Sequence, residues 1–157
     1  MNFSHKISIA LSGAVAISAI AQPTPVFAIS AQGQSSFVLI QTKAEDFFIL
    51  GEAKYKKGDY QGALAAYSQA IVLNPNYTQA YNNRGVACRA LGDKQGAVDD
   101  YNQALRINPN LEAAYNNRGI ARSQLGDKQG AIADYNQALR LNPNYAEAYY
   151  NRGETSS

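Results

Sequence analysis

The chain has 157 residues, of which 46% are apolar and 17% charged, with a formal net charge of +2. This length and apolar content fit one small folded domain and exclude a disordered tail, and the balanced charge, without a basic run, excludes a nucleic-acid stripe. A single His, His5, and a single Cys, Cys88, leave no His/Cys metal cluster, no catalytic dyad and no disulfide within the chain.

The first 28 residues read as a leader rather than as part of the fold. MNFSHK carries Lys6, and Ile7–Ala21 is a 15-residue stretch without a charge, short of the roughly 20 needed to cross a bilayer. QPTPVFA follows, with Val26 and Ala28 as the small residues before a cut. The expectation is a cleaved secretory signal, a mature chain starting at Ile29, and delivery to a periplasmic, lumenal or extracellular space with no membrane attachment afterwards. Residues 29–42 form a Ser/Gln-rich lead-in around Phe37–Ile40.

From Ala44 onward the chain repeats. NPN tripeptides begin at Asn74, Asn108 and Asn142, a period of 34 residues. The copies are 44–77, 78–111 and 112–145, with a partial fourth at 146–153 and a tail at 154–157. The second and third copies are identical at 24 of 34 positions. Each copy predicts two helices. The first is expected to be capped by Thr42, Asn76, Asn110 or Asn144, and to close at Gly58, Gly92 or Gly126. Asp59, Asp93 and Asp127 are expected to cap the second, and Pro75, Pro109 and Pro143 to end it. Small residues (Gly51, Gly85 and Gly119 on first helices; Ala63, Ala97 and Ala131 on second ones) allow close approach. Tyr67, Tyr101 and Tyr135, with Phe47, Tyr81 and Tyr115, provide bulk. Cys88 reads as a small buried residue on a helix face.

The series Phe47, Leu50-Gly51, Ala63, Tyr67, Ala70, Pro75 returns as Tyr81, Gly85, Ala97, Tyr101, Ala104, Pro109 and as Tyr115, Gly119, Ala131, Tyr135, Ala138, Pro143. This register resembles the tetratricopeptide repeat family. The resemblance implies an all-α hairpin array wound as a right-handed superhelix, its first helices lining a concave groove that binds a peptide or partner protein. It also implies binding rather than catalysis, and no cofactor is expected. Chaperone-clamping members grip a terminal carboxylate, but the corresponding places here are Phe48, Glu52, Asn83, Ala113 and Asn117, and only Asn83 fits.

Two departures lie in the pentapeptide YNNRG of Tyr81–Gly85 and Tyr115–Gly119, and in its variant at Tyr149–Gly153. Leu50 is replaced by Arg84, Arg118 and Arg152, while Ala66 is replaced by Asp100 and Asp134. The paired switch predicts ion pairs Arg84–Asp100 and Arg118–Asp134, with Arg152 free of such a partner. Asn83, Asn117 and Asn151 recur at equivalent places, with Asn82 and Asn116 beside them. Asn can both donate and accept, so these five are candidates to grip a peptide backbone, the alternative being solvated polar filler. In O-linked N-acetylglucosamine transferases and kinesin light chains, asparagines at this point of the motif line the groove. A second reading of the whole is a self-associating structural protein, joined through its terminal half-repeat with Tyr145, Tyr149 and Tyr150.

Overall fold

The computed structural model describes residues 43–157; the proposed signal and lead-in, with Thr42, lie outside the described residues. Seven helices and no strand occur among the described residues: α1 (Ala44–Lys56), α2 (Tyr60–Leu73), α3 (Thr78–Ala90), α4 (Lys94–Ile107), α5 (Glu112–Gln124), α6 (Lys128–Leu141) and α7 (Ala146–Ser156). They pair as hairpins α1/α2, α3/α4 and α5/α6, with α7 standing on α6. Odd-numbered helices also approach one another, α1 to α3, α3 to α5 and α5 to α7, whereas the even-numbered ones do not. The array therefore curves with the odd-numbered helices on its inner face.

Turn chemistry explains the hairpins. Gly58, Gly92 and Gly126 take φ of 79°, 88° and 88°, a left-handed turn that strains any residue with a Cβ. One residue later, the carboxylates of Asp59, Asp93 and Asp127 accept from the amides of Gly62, Gly96 and Gly130 at 2.8–2.9 Å and so cap α2, α4 and α6.

The caps of the first helices differ from expectation. Asn76, Asn110 and Asn144 do not cap; their amides donate instead to the side-chain oxygens of Asn74, Asn108 and Asn142 at 3.0–3.1 Å. In NPN the first Asn folds over the proline to close a turn on the third, which places the helix start one residue later. The N-cap positions thus fall to Tyr77, Leu111 and Tyr145, which use no side-chain cap but pack against the layer beneath. At α1 the amide of Lys43 donates to Asp46 at 2.8 Å. The end of the chain also differs from the expected tail at 154–157. Thr155 is buried, its hydroxyl 3.2 Å from that of Ser123. Ser156 and Ser157 bond back to the carbonyls of Arg152 and Gly153. These contacts carry α7 a turn past Gly153.

The core is a series of thin layers rather than one cluster. Ala63, Ala97 and Ala131 are fully buried inside the hairpins. Between hairpins, Ala70 meets Ala80, Ala104 meets Ala114, and Ala138 meets Ala148, so helices of successive copies also approach closely. Tyr67, Tyr101 and Tyr135 are the largest buried side chains, and each packs its ring against a glycine: a Cβ built at Gly51, Gly85 or Gly119 would meet the ring at 2.5, 2.7 or 2.6 Å. Gly153 on α7 has no such neighbour.

Alanine substitution should therefore act with opposite sign at equivalent positions. Gly119→Ala forces the enclosed Tyr135 ring to shift and should cost about 1–3 kcal/mol, outweighing the gain of about 1 kcal/mol in helix propensity. Gly153→Ala meets open space and should leave stability equal or raised by up to about 1 kcal/mol. Urea unfolding of the two variants measures the difference, and destabilisation of similar size at both sites would contradict it.

Candidate functional site

Each YNNRG element is built on an odd-numbered helix, one turn into α3, α5 and α7, and its arginine turns away from the groove into the hairpin. Arg84 makes a bidentate pair with Asp100, Nε to Oδ2 at 2.9 Å and Nη2 to Oδ1 at 2.6 Å. Arg118 repeats this with Asp134 at 2.9 and 2.6 Å. Both aspartates are buried, and the carboxylate of Asp100 raises the Arg84 pKa against the opposing effect of burial. The second terminal nitrogen of each arginine reaches back to the preceding copy: Arg84 to Ser68 at 3.2 Å, and Arg118 to Asn102 at 2.7 Å. Each guanidinium also covers the tyrosine three residues before it, 5.5 Å from the Tyr81 ring centre and 5.4 Å from that of Tyr115. Arg152 is not free as the sequence suggested. It donates to Asn136 at 2.7 Å and lies 5.4 Å from the Tyr149 ring centre.

The position after the next turn varies among copies as Lys54, Cys88 and Arg122. Lys54 pairs with Asp59 at 2.9 Å, and Arg122 donates to Asp134 at 2.9 Å. Cys88 brings no charge, and its thiol, 4.0 Å from Asp100, has its pKa pushed up to about 11 by burial and by that carboxylate. It borders an outer crevice of about 370 Å3 lined also by Arg84, Asp93, Asp99 and Asp100. The second hairpin thus lacks the cation that its neighbours place there.

The asparagines form rungs between copies. Asn117 donates to Asn82 at 3.2 Å, and Asn151 donates to Asn116 at 3.0 Å. The second Asn of each element thereby joins the first Asn of the element before it. Asn116 is 0% exposed and also donates to Glu147 at 3.2 Å, so it is a brace and must be withdrawn as a ligand contact. Asn82 is half-buried, accepts from Asn117 and donates to Asn83 at 3.1 Å. Asn83 stands where the preceding copy offers Phe48 instead of an asparagine, so no rung forms there. Its amide lies against the hydroxyl of Tyr67, whose pKa burial pushes up to about 12 while Asn83 pulls the other way.

Where α1, α2 and α3 meet on the inner face, Asn83 borders a pocket of about 150 Å3 with Glu52, Tyr55, Lys56, Tyr67 and Val86. It combines two aromatic walls, an amide and two opposite charges. Such a lining suits a side chain and its adjoining backbone amide. None of Asn82, Asn116, Asn117 or Asn151 borders it.

Two stability measurements test the arginine geometry. A double-mutant cycle of Arg118→Leu and Asp134→Leu should give a coupling of about 1–3 kcal/mol, with Asp134→Leu alone costing about 3 kcal/mol because it leaves two arginines facing an apolar wall. Cys88→Arg should stabilise by about 1 kcal/mol at low salt by supplying the missing cation, an effect that fades as salt is added. No coupling in the first, or a loss of stability in the second, would contradict the assignment.

Comparison with known proteins agrees with this geometry. A tetratricopeptide repeat model matches residues 50–112, and a further TPR repeat model matches residues 123–155. The first TPR of Spaghetti (RPAP3), solved bound to the HSP90 peptide SRMEEVD, is 31% identical with a TM-score of 0.72, the match covering 73% of this chain and 90% of that one. The TPR domain of Arabidopsis OM64 is 32% identical with a TM-score of 0.70, over 71% of this chain and 93% of that one. The first TPR domain of human RPAP3 is 30% identical with a TM-score of 0.71, over 72% and 89%. No curated protein matches the chain. With its 34-residue hairpins, glycine–tyrosine contacts and proline-ended second helices, and with these matches along most of its repeats, the chain belongs to the tetratricopeptide repeat family.

Proposed function

We propose that this protein is an exported peptide-binding module, which holds an extended segment of a partner protein along the inner face of α1, α3 and α5 as a scaffold or assembly factor. The pocket at Asn83 carries this reading. It lies on the concave side, it is walled by Tyr55 and Tyr67, and it presents the one asparagine of the series that is not bonded to an asparagine of the preceding copy. That the Spaghetti domain holds a peptide supports the same use of the fold here. The ligand differs in kind from an acidic chaperone tail, because Phe48 and Glu52 stand where terminal-carboxylate clamps place Lys and Asn, and Glu52 lines the pocket. Export rests on residues 1–28, and an exported product whose N-terminal residue is other than Ile29 would revise the cleavage point.

A second reading, self-association through α7, has one observation in its favour: Tyr150 is 67% exposed and Gly153 faces no side chain. Sedimentation over a hundredfold range of concentration tests it, since a constant monomer mass would remove it.

The groove is tested by capturing partners from envelope extract with the chain and with an Asn83→Ala, Val86→Arg variant of equal helicity. Val86 borders the pocket and Arg would fill it. The expected outcome is a partner held by the first and lost by the second. Equal capture would move binding to another surface.

A further inference from the structure

Five matched places on the outer side of each hairpin do not balance alike in the three copies. The first copy holds Leu50, Lys54, Asp59, Ala65 and Ala66, and the third holds Arg118, Arg122, Asp127, Ala133 and Asp134, so neither carries a net charge there. The second holds Arg84, Cys88, Asp93, Asp99 and Asp100 and is left with two negative charges. Two changes cause this, the loss of a cation at Cys88 and the gain of an acid at Asp99. Both act in the same direction. All five of these residues line the outer crevice of about 370 Å3, with Leu64 and Ser68 of α2 as its other wall. Asp100 is buried, while Asp93 and Asp99 are exposed, and α2 has no basic residue to offset them.

The third copy shows what such a place holds. Arg122 lays its guanidinium over three acceptors: Nη1 donates to Asp134 Oδ2 at 2.9 Å and to the Gly130 carbonyl at 3.5 Å, and Nε lies 3.8 Å from Asp127 Oδ2. Their counterparts one period earlier are Asp100, Gly96 and Asp93, and all three line the crevice. Asp100 Oδ2 accepts from Arg84 Nε at 2.9 Å, as Asp134 Oδ2 accepts from Arg118. Where Asp134 then meets a second guanidinium, Asp100 meets only the Cys88 thiol at 4.0 Å. Burial and the carboxylates of Asp100 and Asp93 keep that thiol protonated, so it is a neutral floor. Asp99 adds a carboxylate that the third copy lacks. Among the described residues no three acids are grouped so as to hold a metal ion. Acceptors spread as they are around Arg122 suit the planar fork of a guanidinium, and Leu64 gives its aliphatic stem an apolar wall.

We propose that this outer crevice is a second binding surface, which receives an arginine side chain of a partner protein in the place that Arg122 fills one hairpin later. The partner supplies the cation that the second copy lacks, on a face separate from the groove.

The test is an NMR titration of the full, isotope-labelled chain with N-acetyl-arginine N-methylamide, an arginine without terminal charges. Shifts should concentrate at the amides of Cys88, Gly96, Asp99 and Asp100, while Gly130 and Asp134, where Arg122 already sits, stay still. Cys88→Arg should weaken binding about tenfold or more by filling the site, and Asp99→Ala should weaken it severalfold. Cys88→Ser, which adds no cation, should change little. The blocked lysine should bind severalfold more weakly, because an ammonium does not reproduce the fork. The Asn83→Ala, Val86→Arg variant should bind the blocked arginine as the unaltered chain does, so this site and the groove fail separately. No shift at these amides, shifts spread equally over the three hairpins, or shifts retained in Cys88→Arg would overturn the site. Binding of free arginine without binding of the blocked form would overturn the partner reading in favour of a small guanidino compound.

Discussion

The contact between a tyrosine ring and a bare glycine backbone sets the geometry of each hairpin. Gly51, Gly85 and Gly119 let the rings of Tyr67, Tyr101 and Tyr135 lie at distances no Cβ permits. Once glycine and tyrosine are face to face, the residues preceding each are neighbours too. Arg84 precedes Gly85 and Asp100 precedes Tyr101; Arg118 precedes Gly119 and Asp134 precedes Tyr135. The bidentate ion pair is therefore a consequence of the packing contact, not an independent device. In the first copy the same two places hold Leu50 and Ala66, and the helices meet there without a charge. Packing fixes the spacing, and the ion pair is added where the sequence supplies both partners. That order matches the physics, since a partly buried pair contributes well only when its geometry is already set.

What the pentapeptide adds is continuity between hairpins. Its tyrosine lies under the guanidinium, its arginine spans from Asp100 to Ser68 or from Asp134 to Asn102, and its two asparagines connect in opposite directions along the array. An element of this kind works only beside a copy of itself. Solenoid stability is a sum of unit and interface terms, and here much of the polar interface is carried by five residues written twice and, with Tyr150 for the first Asn, a third time. Asn83 lacks a rung because the first copy is written differently, with Phe48 in place of the first asparagine. That interruption is where the inner face opens into a pocket.

The hairpin array, the left-handed glycines and the aspartate caps were legible because each follows from one residue type at one turn. The arginine–aspartate contact was legible from a paired switch between copies. The first-helix caps were not. Asn before Pro closes a turn on itself, and a residue-by-residue reading of NPN takes the third Asn for a cap. The rungs were missed for a different reason: Asn82 and Asn117 are 35 residues apart, one off the period, so alignment on the repeat separates the two partners. Asn116 was mistaken for a ligand contact because the two residues that engage it, Glu147 and Asn151, stand 31 and 35 residues on, again off the period.

The differences between the second and third copies separate scaffold from surface. Identity covers the glycine, the buried tyrosine, the alanines at both interfaces, the ion pair and both asparagines. All of these are held within the array, save that Asn83 also borders the pocket. Several of the departures fall instead on the inner helices: Gln79 against Ala113, Val86 against Ile120, Arg89 against Ser123, Ala90 against Gln124. None of these four pairs is needed to close a hairpin, and Val86 borders the pocket. A chain that repeats its internal contacts to the letter while changing side chains along one line of its concave face distinguishes successive junctions chemically. A segment laid across them would meet a different set of groups at each step. Such a line can fix the direction and register of an extended segment, which a perfectly periodic groove of the same shape could not.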